Sequence, residues 1–121
     1  MSRNLHRVLL ALENYHEYRS TFTHHSQEYD LNYFLDRAQD LPERSLPLSK
    51  VEWIMQDSHP DPQRVVVADT SVPILVTIED GLYIPIDGTH RIFKAAEERL
   101  HQIPAKFIPK QWFKDYLTRR A

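Results

Sequence analysis

The stretch Tyr83-Ile84-Pro85-Ile86-Asp87-Gly88-Thr89-His90-Arg91-Ile92-Phe93-Lys94-Ala95-Ala96 limits what this chain can fold into more than any other. An apolar run meets an Asp-Gly turn, and helical spacing starts at once, which predicts a strand, a tight turn and a helix over residues 89–100. The first N–H groups of such a helix have no intrahelical acceptor, and the helix dipole is positive there. Thr89, His90 and Arg91 fall on that helix start, where an Arg and a His favour phosphate over carboxylate. The chain contains only two glycines. Gly88 is therefore expected where the backbone needs a positive φ or a close approach.

At 121 residues the chain is long enough for one modest core. A formal net charge of −2 gives no overall attraction to nucleic acid or to an anionic membrane. The absence of cysteine excludes disulfides, thiolate zinc sites and cysteine nucleophiles, and fits a cytoplasmic location. The first apolar run is too short and too interrupted for a signal peptide or a membrane span, so no membrane partner is expected.

Leu5, Val8, Leu9, Leu12 and Tyr15 recur at helical spacing and predict an amphipathic helix over residues 3–19. Residues 20–26 read as a polar loop, and Asp30 as the N-cap of a second helix that buries Leu31, Phe34, Leu35 and Ala38 and ends before Pro42. Ser49 and Glu52 have capping-box spacing ahead of a short helix or strand over 51–55. The β-branched run Val65-Val66-Val67 is a strand candidate. Residues 74–78 and 82–86 flank Glu79-Asp80-Gly81 as a hairpin, with Pro85 requiring an edge or a bulge. Residues 103–108 form a last strand, and Pro109 opens a closing helix that buries Trp112, Phe113, Tyr116 and Leu117. The expected fold is α+β: a small mixed β-sheet with flanking helices over residues 46–121, preceded by an N-terminal helical extension over 1–45.

From Leu46 to about Ile108 the chain resembles the ParB/sulfiredoxin-like superfamily. The resemblance rests on Pro47-Leu48-Ser49, Asp61-Pro62-Gln63-Arg64, Pro73-Ile74-Leu75-Val76, Asp87-Gly88-Thr89-His90-Arg91 with Ala95-Ala96, and Ile103-Pro104-Ala105. It implies a nucleotide (ATP, ADP or CTP) whose phosphates lie at residues 87–91, together with Mg²⁺. The superfamily includes CTP-dependent partition proteins, ATP-dependent sulfiredoxins, free-serine kinases using ADP, and proteins described as nucleases. Sulfiredoxin chemistry needs a cysteine where this chain has Thr89, and is excluded. The serine kinases carry a His at that position. Only thirteen residues follow Ile108, so the separate DNA-binding domain of partition proteins is not expected. A glycine usual near the end of the motif helix is absent, with Arg99-Leu100-His101 in its place.

The candidate phosphate ligands are thus Gly88, Thr89, His90, Arg91 and, from the Asp-Pro-Gln loop, Arg64. Arg91 could instead pair with Glu97 or Glu98 on the helix surface, Thr89 could be only an N-cap, and Arg64 only an exposed loop residue. Asp87 is a turn residue, a ligand of Mg²⁺, or a general base toward a hydroxyl. Glu52 is either the partner in the capping box or an acid/base residue. His24-His25 lacks a third ligand at suitable spacing and reads as a solvated pair. The expected activity is nucleotide binding with hydrolysis or phosphoryl transfer. The alternatives are a DNA-binding or nuclease module using the basic C-terminal end, or a non-catalytic phage or plasmid accessory factor that meets a protein partner through its N-terminal helices.

Overall fold

The computed structural model describes residues 20–119. The helix expected over 3–19 lies outside these residues. Those described fall into two compact units, one ending at Asn32 and the other starting at Tyr33.

The first unit is a β-hairpin of β1 (Thr21–His24) and β2 (Gln27–Asp30), paired antiparallel from Thr21↔Asp30 to His24↔Gln27. This corrects the expected loop. His25 and Ser26 both take positive φ, 50° and 64°, which is the backbone of a two-residue turn whose twist matches that of the strands. Phe22 and Tyr29, opposite each other in the register, stack with ring centroids 5.3 Å apart. The expected cap is present: Asp30 Oδ1 accepts from the Asn32 N–H at 2.9 Å, opening α1 (Leu31–Arg37).

The second unit is built on a four-stranded sheet in the order β3-β6-β4-β5. Its strands are β3 (Arg44–Pro47), β4 (Ile74–Glu79), β5 (Leu82–Asp87) and β6 (Gln102–Phe107). The β4–β6 pair is parallel and the other two pairs are antiparallel, which makes the sheet mixed as expected. Asp80 and Gly81, at φ 50° and 79°, turn β4 into β5. Pro85 sits on the edge strand at the register shift between Leu75 and Val76, both of the places a strand proline tolerates. The Trp53 indole N–H donates to the Tyr83 carbonyl at 2.9 Å and covers part of that edge.

Alternation along the strands gives the sheet two apolar faces. On one, Leu46, Ile74, Val76, Ile103 and Ala105 bury against Ile92 and Ala95 of α3 (Thr89–Glu97) and against Leu48 and Val51. From the other, Lys106 reaches the Ala38 carbonyl at 2.9 Å. There Phe34 of α1 packs its ring against Phe113 and Tyr116 of α4 (Gln111–Arg119), at 5.1 and 6.0 Å. Leu35 and Leu117, expected inside, are 36% and 39% exposed, because each lies at the margin of its helix's apolar stripe.

Two local expectations are overturned between β3 and β4. Residues 48–50 and 52–56 are separate 3₁₀ turns, and neither has a side-chain cap. The capping box does not form, because Ser49 sits within the first turn rather than ahead of a helix. The valine run is not a strand but part of α2 (Pro62–Val67). Asp61 caps that helix through the Gln63 N–H at 2.9 Å, and Pro62 has its φ set for the first helical position. Those two start signals outweigh a helix propensity deficit of only a few tenths of a kcal/mol per valine.

Candidate functional site

The site grows from the junction of β5 and α3. Asp87 ends the strand, and Gly88 turns the chain at φ 113°. A Cβ at Gly88 would lie 2.8 Å from the Ile74 Cβ and closer still to its Cγ2. The turn therefore needs glycine twice, for its backbone angle and for its contact with β4. Gly88, not Thr89, is the N-cap of α3: its carbonyl accepts from the Ile92 N–H at 3.0 Å. Thr89 is the first helical residue, which corrects its reading as the cap. Its hydroxyl makes no hydrogen bond among the described residues.

Arg91 reaches inward. Its guanidinium Nη2 donates to Asp87 Oδ2 at 2.8 Å, and Nη1 donates to the carbonyls of Pro73 at 2.6 Å and Val72 at 3.2 Å. The Arg91 side chain is only 15% exposed and Asp87 23%. One residue thereby ties the start of α3 to the end of β5 and to the segment entering β4. It does not pair with Glu97 or Glu98; its carboxylate partner is Asp87, one helical turn back.

His90 faces another way. Its Nε2 accepts from the backbone N–H of Asp61 at 3.3 Å, joining α3 to the residue that caps α2. An imidazole nitrogen that accepts carries no proton, so this contact requires the neutral ring with its proton on Nδ1. Burial holds His90 below the ordinary imidazole range, and the charges of Arg64 and Arg91 push it further down. Asp61 and Asp87 pull the other way without prevailing.

Arg64, carried on α2, is close enough to His90 for its charge to lower the imidazole's proton affinity. It is exposed and makes no hydrogen bond or ion pair among the described residues. Glu52 is exposed on its 3₁₀ turn, and no hydrogen bond or ion pair among the described residues links it to Asp87, His90 or Arg91. His24 ends β1 and His25 opens the turn into β2, with ring centroids 4.2 Å apart.

The donor set at the turn does not suit a resident Mg²⁺, which prefers one or two carboxylates with phosphate and water oxygens in octahedral array. Asp87 already receives Arg91, and the next carboxylate, Asp61, is committed to the Gln63 N–H.

The chain matches no known protein family and no curated protein. It is similar to the crystal structure of sulfiredoxin from Arabidopsis thaliana. The likeness covers 63% of this chain and 97% of that one, at 24% identity and a TM-score of 0.45. Among the described residues, no helix is long and apolar enough to cross a membrane.

Three contributors to the site were not singled out from the sequence. Asp61 was legible as an N-cap, since an Asp-Pro pair at a helix start is a strong signal. The carbonyls of Val72 and Pro73 had none, because a backbone acceptor for a residue eighteen positions away leaves no trace in side-chain pattern.

Proposed function

We propose that this chain binds a phosphate group of a nucleotide at the β5–α3 turn. The observation that carries the reading is the pairing of an open helix start with a nearby uncommitted arginine. Thr89, His90 and Arg91 hold the first three N–H positions of α3, which no intrahelical carbonyl can satisfy. The Thr89 hydroxyl lies at the same end, and Arg64 is close enough for its charge to act on His90. In this arrangement backbone N–H groups and the hydroxyl receive phosphate oxygens, and Arg64 supplies the charge and a bidentate fork.

The division of labour differs from that expected from the motif. Arg91 acts as the clamp that shapes the turn, and Arg64 as the arginine that meets the ligand. The nucleotide, rather than a simple phosphate ester, is what the Asp-Gly-Thr-His-Arg resemblance adds. Hydrolysis or phosphoryl transfer would need a proton acceptor near the ligand. The Asp87 carboxylate already holds the Arg91 guanidinium, so the proposal rests at binding.

A thermal-shift screen of wild type and Arg64→Ala against ATP, ADP, CTP and GTP, each with and without Mg²⁺, tests this. A ligand confined to the folded state stabilises it by about 2.7 kcal/mol at a hundredfold excess over its dissociation constant. One nucleotide should raise the wild-type midpoint, and Arg64→Ala should lose that rise without losing its own stability. An equal shift in both proteins would remove Arg64 from the site. No shift with any nucleotide would end the nucleotide reading.

A further inference from the structure

We propose that His90 is a proton-operated clasp: neutral, it ties α3 to the cap of α2, and protonated, it releases Asp61 and offers the turn a charged donor. The inference rests on the phosphate reading above only in its second half.

The geometry carries it. His90 Nε2 accepts from the Asp61 N–H at 3.3 Å, a bond that exists only while Nε2 is unprotonated. Asp61 is also the residue whose side chain starts α2. Adding a proton at Nε2 places two N–H groups nose to nose, so the imidazole and the Asp61 amide must separate. The charged groups that act on the ring are Asp61 and Arg64 from α2 and its cap, Asp87 from the end of β5, and Arg91 from α3 itself; the 3₁₀ turns 48–50 and 52–56, which also pack on α3, contribute none. On their own, two arginines and the positive end of α3 all oppose the proton. An anion at the same helix end reverses that balance, because it sits where His90 lies within the first turn. Binding an anion should therefore take up a proton, and acid should favour binding.

Inorganic sulfate is the probe, since its charge stays constant across the pH range used and a phosphate's does not. In the uniformly ¹⁵N-labelled full chain, the His90 ring nitrogens and the Asp61 amide are followed by NMR from about pH 8 to about pH 5, with and without sulfate at constant ionic strength. Without sulfate, the ring should show the Nδ1–H tautomer at high pH and a midpoint below about 6.5, and the Asp61 amide should shift with the same midpoint. Sulfate should raise that midpoint and bind more tightly in acid, about tenfold for each unit the midpoint moves. In His90→Gln the Asp61 amide and the sulfate affinity should both lose this pH dependence.

An Nε2–H tautomer, or an Asp61 amide that ignores the His90 titration, would overturn the clasp. Sulfate that binds without moving the His90 midpoint would overturn the coupling. No sulfate binding at any pH would overturn the anion site itself; the tautomer and the Asp61 amide are read without sulfate and would still judge the clasp.

Discussion

The Arg91 guanidinium donates to the Pro73 carbonyl at 2.6 Å, so the arginine that ends the Asp-Gly-Thr-His-Arg stretch is bonded to the residue that leads into β4. The same group holds the Asp87 carboxylate at 2.8 Å. Substituting Arg91 therefore removes support from three segments at once. Arg91→Ala should cost about 2–3 kcal/mol of folding stability, the usual scale for a part-buried charged group with several hydrogen bonds. Urea unfolding measures it. A loss under about 0.5 kcal/mol, the scale of an ordinary surface change, would show that the clamp contributes little. A consequence follows for ligand studies: lost binding in this variant would report a collapsed turn as readily as a lost contact.

The two glycines separate backbone strain from steric overlap. Gly81 has φ 79° and open space around its missing Cβ, whereas Gly88 has φ 113° and Ile74 against it. Gly81→Ala should cost about 1–2 kcal/mol, the left-handed penalty for an L-residue. Gly88→Ala should cost that plus about 1–3 kcal/mol for forcing Ile74 aside, within a core where Ile74 has no exposure. Chemical denaturation of the two variants side by side checks the order; equal losses would contradict it.

Arg99 occupies the position where α3 terminates in a left-handed residue, at φ 58°. The Leu100 N–H donates to the Ala95 carbonyl at 3.0 Å and the Arg99 N–H to that of Ala96 at 3.1 Å, the two bonds of a Schellman ending. The motif's missing glycine is thus a missing residue type and not a missing conformation. Arg99→Gly should stabilise the chain by about 0.5–1 kcal/mol, seen as a higher thermal midpoint. A lower midpoint would mean that the exposed Arg99 side chain contributes more than its backbone strain costs.

His90 makes stability depend on pH. Burial first, then the Arg64 charge, depresses its proton affinity in the folded chain. Between that lowered value and the ordinary one near 6.5, the unfolded chain binds the proton and the folded chain does not. The stabilisation is therefore complete above about pH 6.5 and is lost as pH falls through the folded value. Urea unfolding of wild type and His90→Gln from about pH 8 to about pH 5 isolates the effect from other groups. The stability advantage of wild type should shrink on acidification. A constant difference would contradict the assignment.

Much of the second unit was legible from residue pattern because its signals are local. Asp80-Gly81 between alternating apolar runs, Pro85 on an edge, and the Ile92-Ala95 stripe each state their conformation within a few residues. The failures share a cause. Side-chain propensity favours a strand at Val65-Val66-Val67, while Asp61-Pro62, four residues upstream, fixes a helix start. Residues 20–26 look like a loop in sequence because their turn uses His and Ser at positive φ in place of the glycine or asparagine that usually marks one. At the site, the glycine turn was readable and the role of Arg91 was not. Its main-chain acceptors lie on a segment that only the sheet brings beside it.

An amide chemical-shift titration with the nucleotide that gives the largest thermal shift tests phosphate binding at the β5–α3 turn most directly. Free helix-start N–H groups that receive a phosphate move strongly downfield. Thr89, His90 and Arg91 should move most and saturate together, and Arg64→Ala should weaken the titration without altering the free spectrum beyond α2 and its neighbours. Shifts centred elsewhere in the chain, with residues 89–91 unmoved at saturation, would contradict binding at this turn.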